Sequence, residues 1–321
     1  MEKRRFGKSD LETSVIGFGG WEMGKGQYGF VDEKEAIAAV HKAIDLGVTL
    51  FDTAAVYGWG AGEEMMGRAL KGRRDRVVLV TKGGRLWDLQ TNERRSDSSR
   101  AFLEKGLEES LRRLQTDYVD LFLIHWPDTT RSFQEPMEVF ARWKEQGKIR
   151  YGGVSNFSVD QLKECLRYFP LVCDQVGYNI FDRRAEAQVL PFCRENGLGV
   201  MAYGSLSYGL LTGTMTSETR FAEDDWRSSG QAFSLPIFQG EDFKRNLQVV
   251  ERLKALARAH GRTVAQLAVA WVLSNPALTV ALTGIRRPAE IEENVKGADW
   301  KLTAEDKAAV DTAFGDWKPY R

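Results

Sequence analysis

Short apolar segments alternate with longer amphipathic segments along the chain, and this alternation constrains the fold more than any other sequence feature. Eight segments read as buried strands: Val15–Gly19, Thr49–Asp52, Val77–Thr81, Tyr118–Ile124, Ile149–Val154, Val172–Val176, Gly199–Ala202 and Thr279–Leu282. Segments with helical period lie between or after them: Glu33–Leu46, Glu63–Leu70, Ser99–Leu114, Phe133–Gln146, Val159–Tyr168, Ala187–Asn196, Phe243–His260 and Val264–Leu273. Strands that alternate with helices form parallel sheets, so eight such units predict an α/β protein with a closed (β/α)8 (TIM) barrel.

Two segments fall outside this alternation. Gly7-Lys8-Ser9-Asp10 has the composition of a turn, and the first dozen residues therefore predict a β-hairpin that closes the bottom of the barrel. Ser205–Gly240 is a long segment rich in Gly, Ser, Thr and Asp, and a loop of that length is typically a functional lid. No linker or low-complexity segment divides the chain, so residues 1–321 are expected to form a single domain.

The charge and cysteine content exclude several classes of protein. The 45 basic and 45 acidic residues cancel, which argues against a general attraction to nucleic acid or to an anionic membrane. Cys165, Cys173 and Cys193 have no CxxC spacing and are typical of buried thiols in a reducing compartment, so we expect a cytoplasmic protein. The three histidines lie on separate predicted elements, and we therefore expect no metal site.

Chemically active side chains follow three consecutive predicted strands. Asp52 ends the second strand, and Tyr57 follows it in the loop. Lys82 comes after the third strand, and His125 comes after the fourth. In a parallel barrel these strand ends meet at one mouth, where active sites are found. Each side chain alone has an ordinary structural explanation, but four of them at one mouth predict an active site.

The four side chains suit proton donation to a carbonyl group. Tyr57 is a weak acid whose pKa an adjacent Lys82 ammonium would lower, and Asp52 would balance the charge of that ammonium. His125 could orient a carbonyl oxygen by hydrogen bonding. The set has no nucleophile and no electron source. It therefore favours a reduction in which a cofactor delivers hydride.

Seven segments in fixed order give the chain a specific resemblance. They are FDTAAVYG, VTKGG, DLFLIHW, YGGVSNF, DQVGYN, MAYGSLSYGLLTG and the final IEEN, and they span about Phe6 to Trp300. In this order they resemble the motifs of the aldo-keto reductases. The resemblance implies reduction of an aldehyde or ketone to an alcohol by NAD(P)H, with hydride from nicotinamide C4 and a proton from Tyr57. It also implies that Asp52, Tyr57, Lys82 and His125 form the catalytic tetrad.

The same resemblance implies a set of cofactor-binding residues. Ser155, Asn156 and Gln175 would hold the nicotinamide carboxamide, and Tyr203 would stack on the ring. Gly204, Ser205, Leu206 and Gly213 would line the pyrophosphate. The adenosine end would be surrounded by Gly284, Arg286, Glu290, Glu293 and Asn294. Trp21, Asp52 and Tyr57 would also contact the cofactor.

Cofactor preference depends on a few charged positions. Arg286 and Arg287 could bind a 2′-phosphate, which favours NADPH. Glu290 stands where many relatives of this kind carry Gln or Arg, and its carboxylate would repel that phosphate. Thr214 stands where Lys commonly follows the LLTG motif. NADPH is therefore the expected cofactor, and NADH remains possible.

Four tryptophans are expected at the mouth of the barrel. Trp21, Trp59, Trp87 and Trp126 all follow predicted strand ends. Indole rings at a pocket entrance favour a small-molecule carbonyl substrate with an apolar or stacking face. An alternative function is a redox-sensing regulatory subunit that binds the cofactor and turns over slowly. A further alternative is a lyase or isomerase that uses Lys82 as a Schiff-base amine. The sequence does not indicate the oligomeric state.

Overall fold

In a computed structural model of the chain, which describes residues 1–24, 26–88 and 93–321, eight parallel strands form a closed barrel. The strands are β1 (Lys3–Arg5), β2 (Glu12–Ser14), β3 (Ile16–Gly19), β4 (Leu50–Asp52), β5 (Val78–Gly83), β6 (Arg85–Trp87), β7 (Arg94–Ser96), β8 (Val119–Ile124), β9 (Ile149–Ser155), β10 (Cys173–Gly177), β11 (Gly199–Tyr203) and β12 (Val280–Gly284). The barrel runs in the order β3-β4-β5-β8-β9-β10-β11-β12 and closes between β12 and β3. The predicted (β/α)8 barrel is confirmed.

Helices follow the barrel strands. They are α1 (Glu33–Asp45), α2 (Ala61–Leu70), α3 (Arg100–Leu114), α4 (Gln134–Glu145), α5 (Val159–Cys165), α6 (Val189–Asn196), α7 (Gly240–Ala259), α8 (Val264–Leu273), α9 (Pro288–Asn294) and α10 (Ala304–Thr312). Local sequence sets their ends: Thr263 caps α8 by accepting from Gln266, whose side chain in turn accepts from the Thr263 N–H. Within the described ranges, no helix combines the length and the apolar character that crossing a membrane requires.

The predicted strands agree with the structure to within two residues at each end. The sequence did not predict the antiparallel pair β6–β7, because the segments RLW and RRS are short and charged and show no apolar alternation. The predicted helix Val159–Tyr168 ends at Cys165, and the chain then turns before Pro170. Helix α7 begins three residues before the predicted Phe243.

The amino-terminal hairpin closes the bottom of the barrel, as predicted. Its strands β1 and β2 pair antiparallel, and the Phe6 N–H donates to the Leu11 carbonyl at 2.8 Å. Phe6 is fully buried and lies against Gly199 at the amino end of β11. Gly7 has φ +51°, and a Cβ there would come 1.9 Å from the Gly197 carbonyl oxygen, so this turn requires glycine. The inward-facing residues of the strands fill the barrel above this plug.

We expect Phe6→Ala to destabilise the protein without altering the opposite mouth. Phe6 has 0% exposed surface, and truncation of such a side chain costs about 3–5 kcal/mol. The free energy of unfolding can be measured by urea denaturation. Phe30→Ala is the control, because Phe30 is 88% exposed and its loss should change the free energy by less than about 0.5 kcal/mol. Equal effects of the two variants would contradict the role assigned to the hairpin.

Candidate active site

The carboxyl ends of the barrel strands open into one long cleft of about 1450 Å³. Segments that follow β3, β4, β5, β8, β9, β11 and β12 contribute to its walls, and β10 contributes Gln175. The predicted site residues that line it are Trp21, Asp52, Tyr57, Trp59, Trp87, His125, Trp126, Ser155, Asn156, Gln175, Tyr203, Gly204, Ser205, Leu206, Gly284, Arg286, Glu290, Glu293 and Asn294. The structure therefore brings together nearly all of the residues that the sequence singled out.

A buried ion pair lies at the floor of the cleft. Lys82 Nζ, which has no exposed surface, lies 2.6 Å from Asp52 Oδ2. The ammonium also donates to the Thr53 carbonyl at 2.9 Å and to the Tyr57 hydroxyl at 3.1 Å. The amide of Gln175 donates to the other Asp52 oxygen at 2.9 Å. Every proton of the ammonium thus has an acceptor, and the Tyr57 hydroxyl is part of the network.

Burial dominates the protonation equilibria of this network. It raises the pKa of Asp52 and lowers the pKa of Lys82, and in each case the partner charge opposes the shift. Burial and the Asp52 and Glu22 carboxylates raise the pKa of Tyr57 well above its usual value. This direction is opposite to the one expected from the sequence, because loss of solvation outweighs the neighbouring ammonium. Tyr57 is therefore protonated at neutral pH.

His125 stands beside Tyr57 at the end of β8. The two ring centroids are 5.8 Å apart in an edge-on arrangement. Burial, together with the charges of Lys82 and Arg85, lowers the pKa of His125 well below its usual value, so the imidazole is neutral. Its Nδ1 atom is buried and has no hydrogen-bond partner among the described residues. In that part of the chain, no group of three or more His, Cys, Asp or Glu side chains is arranged to hold a metal ion.

Amide and hydroxyl groups occupy the next three strand ends. Tyr203 donates to Asn156 Oδ1 at 2.8 Å, and the Asn156 amide donates to Ser155 Oγ at 2.9 Å. Ser155 donates to the Gln175 carbonyl at 2.8 Å. Asn156 adopts a left-handed conformation, φ 65°, which asparagine tolerates better than most residues. These contacts fix a polar wall next to the Asp52–Lys82 pair, to which the Gln175 amide is hydrogen-bonded.

Backbone N–H groups and charged side chains line the cleft after β11 and β12. The N–H groups of Ser205 and Leu206 line it without a hydrogen-bond acceptor among the described residues. Glu290 accepts from the Arg286 N–H at 2.7 Å and pairs with Arg287 at 3.2 Å. Gly213, which was predicted to line this region, does not reach the cleft. It ends the 3-10 turn Ser207–Thr212 with φ 74°, and a Cβ there would contact Lys254 and Val264.

The β11–α7 loop, residues 204–239, crosses the mouth of the barrel. Trp226 stacks on Trp21 with ring centroids 5.1 Å apart, and its backbone N–H donates to the Gln27 carbonyl at 3.1 Å. Phe233 lies 5.2 Å from the Tyr203 ring and 6.1 Å from the Trp126 ring. The loop thus joins opposite sides of the cleft through aromatic contacts. Whether it acts as a lid stays a prediction.

Sequence reasoning missed several charged or aromatic residues that line the cleft: Glu22, Arg85, Arg94, Trp226, Arg227 and Phe233. Trp226, Arg227 and Phe233 lie in the predicted loop Ser205–Gly240, and Arg85 and Arg94 lie between a predicted strand and a predicted helix. Sequence pattern does not show which side chains of such segments turn inward. Glu22 could have been found from its position, because it directly follows Trp21 after β3.

Comparisons with known proteins identify the family. The model of the Aldo/keto reductase family matches residues 15–314. The chain is 40% identical to aldo-keto reductase YhdN of Bacillus subtilis (strain 168), over 97% of this chain and 93% of that protein. It is 32% identical to the NADH-specific methylglyoxal reductase of Escherichia coli (strain K12), over 95% of this chain and 96% of that one.

A solved structure extends the likeness to the fold. The glycerol dehydrogenase AKR11B4 of Gluconobacter oxydans superposes with a TM-score of 0.88 at 36% identity, covering 99% of this chain and 97% of that chain. The family model, the two sequence relatives and the solved structure all match almost the full length of this chain. The chain therefore belongs to the aldo/keto reductase family and is an NAD(P)H-dependent oxidoreductase of carbonyl compounds.

Proposed function

We propose that Tyr57, Asp52, Lys82 and His125 act together to protonate the carbonyl oxygen of an aldehyde or ketone as it is reduced to an alcohol. The observation that carries this proposal is the 3.1 Å contact between Lys82 Nζ and the Tyr57 hydroxyl at the floor of the cleft, beside His125. An enzymatic function is preferred to a regulatory one because a proton donor (Tyr57), an adjacent ammonium (Lys82) and an imidazole (His125) lie together in a cleft that a substrate can enter.

Each of the four residues has a distinct part in this mechanism. Tyr57 gives its proton to the carbonyl oxygen as negative charge develops there. The Lys82 ammonium stabilises the phenolate that remains, and Asp52 holds that ammonium in position. The neutral His125 carries one N–H, which can donate to the same oxygen and orient it. The nicotinamide cofactor, when bound, supplies the hydride that adds to the carbonyl carbon.

The cleft fits a dinucleotide along its length. Ser155, Asn156 and Gln175 offer the donors and acceptors that would hold a carboxamide, and the Tyr203 ring would support the nicotinamide. The unpaired N–H groups of Ser205 and Leu206 offer a site for the negative pyrophosphate, since backbone N–H groups at a turn bind anions.

We propose NADPH as the preferred cofactor. Glu290, whose carboxylate would repel a 2′-phosphate, already pairs with Arg287 and with the Arg286 N–H. The Arg286 guanidinium lines the cleft and forms no ion pair with a described carboxylate, so it is available to an anionic group. The Escherichia coli relative is named as NADH-specific, which makes direct measurement on this chain necessary.

Trp21, Trp59, Trp87 and Trp126 are proposed to form the substrate pocket. The Trp59 and Trp87 ring centroids are 5.7 Å apart, and the Trp59 indole N–H donates to the Trp87 carbonyl at 3.1 Å. Trp21 stacks against Tyr57 with centroids 5.9 Å apart. The walls around the proposed proton donor are therefore largely indole rings, which suit a substrate with a flat apolar body.

Replacement of Tyr57 by phenylalanine should abolish reduction and leave cofactor binding intact. Loss of a general acid typically lowers the rate by about 10²–10⁴-fold, whereas the phenyl ring keeps the packing against Trp21. Turnover is measured by NADPH oxidation, and cofactor binding by quenching of tryptophan fluorescence. Tyr168→Phe, at a half-exposed tyrosine outside the cleft, is the control. Turnover of Tyr57→Phe close to that of the control would refute the proposed role.

Replacement of Arg286 by glutamine should selectively weaken NADPH binding. A charge-assisted contact to the 2′-phosphate would be lost, and we expect the dissociation constant for NADPH to rise about tenfold or more while that for NADH changes little. Both constants can be obtained by calorimetry. Arg287→Gln serves as comparison, because Arg287 is engaged by Glu290. Parallel weakening of both cofactors in Arg286→Gln would argue against recognition of the 2′-phosphate.

Cofactor binding should weaken as pH rises through neutrality because of Glu22. Its carboxylate lies against Gly284, facing Arg286, Arg227 and Glu290, and burial raises its pKa to about 7. Glu22 is therefore neutral below this pH and negative above it, where it repels the cofactor phosphates. We expect the dissociation constant for NADH, which has no titrating 2′-phosphate, to rise roughly threefold from pH 6 to pH 8.

Glu22→Gln is the matched variant for this pH dependence. It keeps the shape of the side chain and removes the ionisation, so the dissociation constant for NADH should become nearly independent of pH over the same interval. Fluorescence titrations of both proteins at pH 6, 7 and 8 provide the comparison. An unchanged pH profile in Glu22→Gln would assign the effect to another group.

A further inference from the structure

Two arginines enter the cleft from the β6–β7 hairpin. In the register of this pair, Arg85 lies opposite Ser96 and Trp87 lies opposite Arg94. Side chains alternate between the faces of a strand pair, so Arg85, Trp87 and Arg94 share one face, which lines the cleft. Arg95, opposite Leu86, belongs to the other face and does not line it.

Neither arginine of this face is neutralised by a carboxylate of the described residues. Arg85 is half-buried, and its Nη1 donates to Ser96 Oγ at 3.2 Å. Its guanidinium carbon lies 5.4 Å from the centre of the Trp126 ring. That of Arg94, at the more exposed rim, lies 4.0 Å from the centre of the Trp87 ring. Both cations therefore rest on indole faces and keep N–H groups available to a ligand.

The charged groups on the floor of the cleft do not neutralise the two arginines. Asp52 is paired with Lys82, and His125 is neutral. Burial and the charge of Arg94 lower the pKa of Arg85, so the two guanidinium groups repel one another. An anion placed between them would relieve that repulsion and restore the solvation that Arg85 loses.

The arginines also lie near the site of proton transfer. Arg85 and His125 both line the cleft, and the positive charge of Arg85 contributes, after burial and the charge of Lys82, to the lowered pKa of His125. Trp126, on which Arg85 rests, directly follows His125 in the chain. A small molecule whose carbonyl oxygen lies at Tyr57 and His125 can therefore extend along Trp126 toward Arg85.

We propose that the substrate is a carbonyl compound that bears an anionic group, a carboxylate or a phosphate, which Arg85 binds with help from Arg94. The inference rests on the proposed function, since it places the carbonyl at Tyr57. The flat walls of Trp87 and Trp126 hold the body of the substrate between the reacting carbon and the anion. Arg85 acts as the residue that determines specificity, and Arg94 adds a weaker contact at the rim.

Matched substrate pairs test this proposal and separate the two anions. 4-Carboxybenzaldehyde is compared with methyl 4-formylbenzoate, its neutral ester. D-Glyceraldehyde 3-phosphate is compared with D-glyceraldehyde. We expect kcat/KM to favour the anionic member of at least one pair by about tenfold, the size of one charge-assisted contact. The pair with the larger ratio identifies whether a carboxylate or a phosphate is preferred.

Variants of the hairpin provide the decisive comparison. Arg85→Gln should lower kcat/KM for the anionic substrate about tenfold, mainly through KM, and leave the neutral partner within about twofold. Arg94→Gln should have a smaller effect in the same direction, because it is more exposed. Arg95→Gln, on the opposite face of the same hairpin, is the matched control and should change neither substrate. Arg85→Lys should retain part of the preference.

The outcomes separate this inference from the proposed function. Reduction of the neutral aldehydes without preference for anions, or equal losses for both members of a pair in Arg85→Gln, would overturn the inference and leave the proposed function standing. If no aldehyde is reduced, the proposed function fails. Quenching of tryptophan fluorescence by 4-carboxybenzaldehyde then still decides the inference: saturable quenching that Arg85→Gln weakens supports anion binding, and identical titrations of the two proteins refute it.

Discussion

The buried pair between Lys82 and Asp52 is the interaction on which the rest of the site depends. Two opposite charges have been removed from water, and their mutual attraction alone does not offset the loss of solvation. The difference is met by hydrogen bonds that the ammonium donates to the Thr53 carbonyl and the Tyr57 hydroxyl, and by one that the Gln175 amide donates to Asp52. Because the pair joins β4 to β5, and its hydrogen-bond partners come from the loop after β4 and from β10, it fixes the relative positions of several strand ends.

The same arrangement explains how much of the site could be predicted from the sequence. Asp52, Lys82 and His125 lie at the ends of apolar strands, so the barrel topology brings them together whatever the loops do. The confirmed strand order therefore accounts for the proximity of these three side chains. Their roles in catalysis are proposals. The pKa of Tyr57 was expected in the wrong direction, because the sequence shows a neighbouring cation but not the depth of burial.

Residues contributed by loops were not predictable in the same way. Arg85 and Arg94 face the cleft only because β6 pairs with β7 in one particular register, and a shift of one residue would present Leu86 and Arg95 instead. Phe233 reaches Tyr203 through a left-handed backbone, φ 51°, that sequence pattern does not indicate at phenylalanine. Gly213 is the opposite case: its motif predicted that it lines the cleft, but in the structure it lies outside the cleft.

The plug formed by Phe6 and Leu11 has a consequence for the order of events in catalysis. With the lower end filled by these side chains and by the packed interior, cofactor and substrate share the entrance on the opposite side. Ser155 and Gln175 of the polar wall are buried at the strand ends, whereas the Trp59 and Trp87 indoles are partly exposed. A substrate already seated among the indoles would obstruct a nicotinamide on its way inward. If the nicotinamide binds at that wall, as proposed, we expect an ordered addition in which the cofactor arrives first and departs last.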